Sequence, residues 1–207
     1  MTTPVRRRLA AAAAVTTLAL SLAACSSNPS SDDASAGSGD ATTSADAQVA
    51  THNEADTEFA QMMIVHHQGA IEMADLAVSK GTHPEVKALG EQISAAQQPE
   101  IEQMTEWLEA WGESAPDAME HGGMDHGGME MNGMDQEGAM AELESLSGTE
   151  FDQRFLELMI AHHQGAIEMS EQEIADGENS DARALARTII DAQNAEITEM
   201  TNLHSDL

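Results

Sequence analysis

Residues 63–73 read Met-Ile-Val-His-His-Gln-Gly-Ala-Ile-Glu-Met, and residues 159–169 read Met-Ile-Ala-His-His-Gln-Gly-Ala-Ile-Glu-Met. The likeness extends without a gap over residues 59–105 and 155–201, where 21 of 47 aligned positions are identical. An ungapped match of this length at a constant spacing indicates an internal repeat. The chain therefore contains two copies of one supersecondary unit.

Each copy reads as a helical hairpin, because its apolar residues recur at helical spacing. The first copy predicts helices over about residues 54–79 and 85–111, with Gly81 and Pro84 in the turn between them. The second copy predicts helices near residues 149–175 and 181–204, separated by Gly177. Each hairpin leaves an apolar face open, so the two should pack on each other. We predict an all-α fold, a four-helix bundle with pseudo-two-fold symmetry.

The composition restricts the function. The chain has 207 residues, with 37 Asp and Glu against 8 Lys and Arg, a formal net charge of −29. Nucleic-acid binding needs a basic footprint, so this charge argues against it. A single Cys excludes a disulfide within the chain and a thiolate metal cluster. The unusual feature is the presence of 14 Met and 9 His.

The first 24 residues are typical of an export signal. Arg6, Arg7 and Arg8 precede an apolar run that ends in Leu-Ala-Ala before Cys25. Cys in this place resembles a bacterial lipobox, in which the thiol becomes lipidated; the alternative is an ordinary secretory signal with an incidental Cys. Residues 25–50 are rich in Ser, Ala, Gly and Asp and should form a disordered tether. We therefore expect an exported protein that a lipid anchors to the outer face of the cell membrane.

The remaining residues, 51–207, should form the duplicated domain, with a Met/His/Gly-rich loop over residues 112–147. In this loop Met recurs every five residues and His follows the same period, on a backbone with too much Gly for a helix. Thioethers select Cu(I), and imidazole suits copper in either oxidation state, so we expect copper with Cu(I) favoured over Cu(II). The alternative is a low-complexity linker. The candidate ligands are Met119, His121, Met124, His126, Met129, Met131 and Met134.

The repeated motif offers a second candidate site. His66 shares a helical stripe with Met63 and Met73, and we expect this stripe to be partly open to solvent. His67 lies among Ile residues, so it either binds metal or is a core histidine that is hydrogen-bonded to Glu100 across the bundle; His163 and Glu196 repeat this choice. Spacing alone leaves both interpretations open. Gly69 and Gly165 lie in the middle of their helices, where we expect close helix packing.

The motif, followed by Ala-Gln-x-x-Glu-Ile-x-x-Met, resembles the bacterial family called domain of unknown function 305. The resemblance covers residues 55–204 and occurs in both halves of the chain. It implies a ferritin-like four-helix bundle and an exported copper-binding protein that is linked to copper tolerance. The residues it implicates are Met63, His66, His67, Met73, Met104, Met159, His162, His163, Met169 and Met200.

The leading hypothesis is thus a copper-binding lipoprotein that sequesters or buffers Cu(I), with no catalytic step. One alternative is a ferritin-like di-metal carboxylate oxidase, but its Glu-x-x-His signature is missing from this sequence. Another is a module that delivers copper to an exported partner protein, which the acidic surface could dock. Storage and delivery are not distinguished by the sequence.

Overall fold

The computed structural model describes residues 51–116 and 133–207, and these residues form five helices. Helices α1 (Glu54–Lys80) and α2 (Pro84–Trp111) are the first hairpin, and α4 (Gly148–Asp176) and α5 (Ser180–Asp206) are the second. The bounds lie within two residues of those that the sequence predicts, and the duplicated four-helix bundle is confirmed. None of the described helices is long and apolar enough to cross a membrane.

Local sequence explains where these helices begin. Asn53 caps α1 through the backbone N–H of Asp56, and the Asp56 carboxylate accepts in return from the N–H of Asn53, a reciprocal capping box. Pro84 occupies the first turn of α2, where its missing N–H costs nothing. Asn179 caps α5 through the N–H groups of Asp181 and Ala182.

A short fifth helix, α3 (Gln136–Ser145), lies within the range that we assigned to a loop. That assignment is wrong for residues 136–145. Asp135 caps the helix through the N–H of Gly138, and Ala139 and Leu143 are fully buried in the core. The sequence of α3 contains the helix formers Ala, Glu, Met and Leu. The glycines next to this segment led us to predict a loop instead. Helix α3 packs on both α1 and α4.

The two hairpins are joined by a reciprocal contact between buried aspartates and helix-connecting turns. Asp152, near the start of α4, accepts from the backbone N–H groups of Thr82 (2.9 Å) and His83 (2.9 Å) and from the Thr82 hydroxyl. Asp56, near the start of α1, accepts from the N–H groups of Glu178 (3.2 Å) and Asn179 (2.9 Å). Each carboxylate therefore supplies the hydrogen-bond acceptor for backbone N–H groups in the turn of the other hairpin. The contact also makes α1 and α4 antiparallel.

The two contacts differ in one neighbouring residue. Glu173 is buried beside Asp56, whereas Ala77 occupies the equivalent place in the first copy. Burial, together with the hydrogen bond to Asp56 and its negative charge, raises the pKa of Glu173 to about 8. The Glu173 carboxyl is therefore largely protonated at neutral pH, and its O–H can donate to Asp56.

Candidate metal centre

The central feature of the bundle is a pair of histidines where α1 faces α4. The rings of His66 and His162 are in contact, with centroids 3.6 Å apart and planes inclined by 42°. Only 2% of His66 and 4% of His162 are exposed to solvent. Our expectation of a partly open site at these residues is therefore wrong. The pseudo-two-fold repeat brings the same motif position from each copy to one place.

These histidines lack the hydrogen bonds that buried polar groups normally have. Both ring nitrogens of His66 and the Nδ1 atom of His162 are buried without a partner. The Nδ1 atoms of His67 and His163 are also unpartnered. An unsatisfied buried nitrogen costs about 1–3 kcal/mol, so such a cluster is unusual in a core that serves only for packing. Free lone pairs of this kind are what a metal ion needs.

The protonation state of the pair also suits a metal. Burial holds the pKa of His66 well below its usual range, and the nearby His67 and His163 lower it further. Burial likewise lowers the pKa of His162, with His66, His163 and His67 adding to the effect. Both imidazoles are therefore neutral at physiological pH, and the neutral imidazole is the form that binds metals.

The adjacent histidines are held by carboxylates on the second helix of each hairpin. His67 Nε2 lies 2.7 Å from Glu100 Oε2, and His163 Nε2 lies 2.7 Å from Glu196 Oε2. Both histidine side chains are fully buried, whereas the glutamates are about one-fifth exposed. The predicted contacts of His67 with Glu100 and of His163 with Glu196 are confirmed. Their free Nδ1 atoms still face the protein interior.

The methionines of the motif are distributed over two packing clusters. Met63 and Met104 belong to one cluster, and Met73, Met159 and Met200 belong to the other; all five are fully buried. Met63 and Met159 precede His66 and His162 by one helical turn, which places each thioether near an imidazole. Met169, in contrast, is only partly buried.

The predicted loop ligands fall largely beyond the structural description. Met119, His121, Met124, His126, Met129 and Met131 lie outside the described residues. Met134 is described, and it packs partly buried against the cluster that contains Met73.

Over residues 51–116 and 133–207, no three His, Cys, Asp or Glu side chains are arranged to hold a metal ion. The site therefore differs from the carboxylate and histidine cages that bind hard metals. Coordination at the histidine pair would need thioether sulfur to complete it.

Sequence reasoning missed Gln136 and the aspartate contacts. Gln136 Nε2 donates to the carbonyl oxygen of Gly69 at 2.9 Å, and a Cβ atom at Gly69 would lie 2.9 Å from the Gln136 side chain. Close approach does explain this glycine, but the neighbour belongs to α3 and not to the four long helices, so our expectation was wrong on that point. The repeat itself could have revealed Asp56 and Asp152, which follow the same spacing just before the aligned range.

Comparison with known proteins now identifies the family. The family described as domain of unknown function 305 matches residues 56–204, and the chain belongs to this family. A fragment of a family member from Deinococcus radiodurans is similar over 76% of this chain and 99% of its own length, with 28% identity and a TM-score of 0.66. A family protein from Streptomyces coelicolor, inferred to be secreted, covers 72% of this chain and 91% of its own, with 27% identity and a TM-score of 0.62.

A third relative is the protein CopM. Its Cu(II)-bound structure covers 73% of this chain and 96% of its own, with 34% identity and a TM-score of 0.62. Its Cu(I)-bound structure gives 32% identity and a TM-score of 0.60, and silver-bound forms are also known. A comparison with curated proteins gave no match.

Proposed function

We propose that this protein is a copper-binding lipoprotein that sequesters or buffers Cu(I) on the outer side of the cell membrane. The observation that carries the proposal is the contact between His66 and His162, two neutral imidazoles of which three ring nitrogens are buried without hydrogen-bond partners. Buried thioethers lie one turn away on each helix. Copper bound to CopM, which shares the fold and the family, supports the choice of metal.

Ligand chemistry favours Cu(I) over Cu(II) in the proposed site. Thioethers and neutral imidazoles are uncharged, soft or intermediate donors, whereas the hard carboxylates Glu100 and Glu196 already bind His67 and His163. The binding of Ag(I), another soft monovalent ion, by CopM supports the same preference. Export fits this chemistry, because Met remains a ligand in places where thiols oxidise.

A di-metal oxidase is the competing function, and a titration separates the two. Residues 26–207 should be titrated anaerobically with Cu(I) and Cu(II) and followed by native mass spectrometry and X-ray absorption. We expect Cu(I) to bind with sulfur and nitrogen neighbours. A coupled pair of metal ions with oxygen and nitrogen neighbours alone would instead support the oxidase and overturn our proposal.

The anchor is tested at Cys25. Changing Cys25 to Ser removes the only thiol that could carry a lipid, so we expect the protein to move from the membrane fraction to the soluble fraction. Fractionation and intact mass measure this result, and Ser27→Ala, two residues away, is the control that should leave both unchanged. Retention of the Cys25→Ser protein in the membrane fraction would contradict lipidation at this residue.

The Met/His-rich segment is tested by deletion of residues 119–134. We expect fewer Cu(I) ions per chain, because the deletion removes five Met and two His. The helices should survive. Gln61 Nε2 donates to the carbonyl oxygen of Ser114, and Gln136 contacts Gly69, so the ends of the connection lie about 12 Å apart along α1. The five residues that would remain between Ser114 and Gln136 can span about 17 Å.

Native mass spectrometry and circular dichroism measure the two outcomes. A variant of full length, with the same Met changed to Leu and the same His changed to Gln, controls for the shortened connection. An unchanged copper count in both variants would make the segment a linker. A large loss of helical signal on deletion would make it structural.

A further inference from the structure

Helix α3 covers one half of the groove between α1 and α4. At its start, Gln136 binds the carbonyl oxygen of Gly69, in the middle of α1. At its end, Lys80 Nζ, from the last turn of α1, donates to the carbonyl oxygens of Leu143 (2.9 Å) and Glu144 (2.6 Å). Helix α3 therefore runs beside α1 from the level of the histidine pair to the turn between α1 and α2.

The same helix is tied to α4. Arg154 on α4 forms an ion pair of 3.0 Å with Glu142, and the Ala139 and Leu143 side chains join the cluster that contains Phe151 and Phe155. Under this cover, Met73 of α1 and Leu158 of α4 are fully buried. Access to His66 and His162 from this half of the groove is closed by packed side chains.

The internal repeat shows what the other half of the groove looks like. The residue equivalent to Met73 is Met169, and the residue equivalent to Leu158 is Met62. Both Met62 and Met169 are partly exposed, although their counterparts are completely buried. The pseudo-two-fold axis relates the two halves, so the difference comes from the cover that α3 provides on one side. The open half thus presents two thioethers to solvent.

Helical spacing connects these thioethers to the buried histidines. Met62 precedes His66 by four residues and Met169 follows His162 by seven, so each lies on the same side of its helix as the histidine, one and two turns away. If residue 62 were Leu, as its counterpart Leu158 is, this half of the groove would lose one of its two partly exposed thioethers. The two copies thus differ at this position, with Met62 at the accessible half of the groove and Leu158 at the covered half.

We propose that Met62, assisted by Met169, takes up Cu(I) from solvent at the open half of the α1–α4 groove and passes it to the buried His66–His162 pair. This inference rests on the proposed function and adds the route by which the metal arrives. The transfer is a ligand exchange: the bond from copper to Met62 Sδ breaks as a bond to an imidazole nitrogen forms. Copper remains Cu(I), and no proton moves because both donors are neutral.

The test is Met62→Leu, which installs the residue that the second copy already has. Cu(I) transfer from a bicinchoninate complex should be followed by anaerobic stopped-flow absorbance, and the equilibrium affinity by competition with the same chelator. We expect uptake to slow by about tenfold or more, an effect of the size that loss of one weak bond in a rate-limiting step produces. The affinity and the number of ions at equilibrium should stay the same.

Met140→Leu is the matched control, because Met140 is also partly buried but lies on α3 at the covered half. This variant should take up copper at the wild-type rate. A second measurement needs no variant: mild oxidation of the metal-free protein by hydrogen peroxide should convert the partly exposed Met62 to its sulfoxide, as peptide mass spectrometry reads, and should slow Cu(I) uptake as Met62→Leu does. The fully buried Met73 should oxidise slowly.

Wild-type uptake by Met62→Leu, or wild-type uptake by protein whose Met62 is oxidised, would overturn the proposed route. Equal losses of uptake rate and of affinity would overturn it as well, since Met62 would then be a permanent ligand. If the wild-type protein binds Cu(I) at the bundle in all these cases, the proposed function survives. If the bundle of the wild-type protein binds no Cu(I), both the proposed function and the proposed route are wrong.

Discussion

Replacing both His66 and His162 by Leu should lower the Cu(I) affinity of the bundle by about a hundredfold or more, which corresponds to roughly 3 kcal/mol of binding free energy. The variant removes the unpartnered nitrogens that we propose as ligands, and Leu fills most of the space of each ring. The metal-free protein should be as stable as the wild type or more stable, because apolar groups replace nitrogens that have no hydrogen bonds. Loss of binding without loss of stability is the signature of a functional site.

The matched control changes the neighbouring residue of each motif, His67 and His163, to Leu. Each change leaves a partly buried glutamate without its partner, so each should lower the free energy of unfolding by about 1–3 kcal/mol. Thermal melting and competitive Cu(I) titration measure both sets of variants. If His67 and His163 are essential for copper while His66 and His162 are not, our assignment of the two pairs is reversed. If all four leave the affinity unchanged, copper binds elsewhere in the chain.

Asp152→Ala should be among the most destabilising single changes in the protein, lowering the free energy of unfolding by about 3 kcal/mol or more. The carboxylate is 1% exposed and accepts from two backbone N–H groups and one hydroxyl of the opposite hairpin. Alanine would leave the N–H groups of Thr82 and His83 without their charged acceptor. Asp56→Ala breaks the equivalent contact and should have a similar effect.

Urea denaturation of the metal-free domain measures both changes. Asp75→Ala is the control, because Asp75 is an exposed aspartate on the same helix as Asp56 and should alter stability by no more than about 0.5 kcal/mol. A value for Asp152→Ala as small as that for Asp75→Ala would show that the hairpins are held by their apolar faces alone.

The sequence predicts the architecture because the signals involved are local or repeated. The bounds of the four long helices follow from apolar periodicity and from the Gly and Pro residues that end the helices. The bond between His67 and Glu100 was one of two alternatives that the spacing left open. The resemblance of the motif to domain of unknown function 305 is confirmed by the match over residues 56–204.

The features that we could not predict from the sequence depend on how helices that are far apart in the chain pack together. Contact between His66 and His162 requires the crossing of α1 and α4, and the stripe of Met and His residues alone suggested an open site. Helix α3 is short and follows a Gly-rich run, and its stability comes from Ala139 and Leu143 packing into a core that is built by other helices. The partial exposure of Met62 is visible only once α3 has been placed.

The reciprocal aspartate contacts bear on the origin of the chain. A helix of 27 residues is about 40 Å long, so an aspartate at the start of α1 cannot reach the turn at the end of the same helix. A single hairpin could form these hydrogen bonds only with a second molecule, in which the aspartate of each hairpin would bind the turn of the other, as in an isologous dimer. In this protein both hairpins belong to one polypeptide, and they have the geometry of such a dimer. Joining the two partners makes their assembly independent of concentration and frees each to change alone, as Glu173 opposite Ala77 and Met62 opposite Leu158 already have.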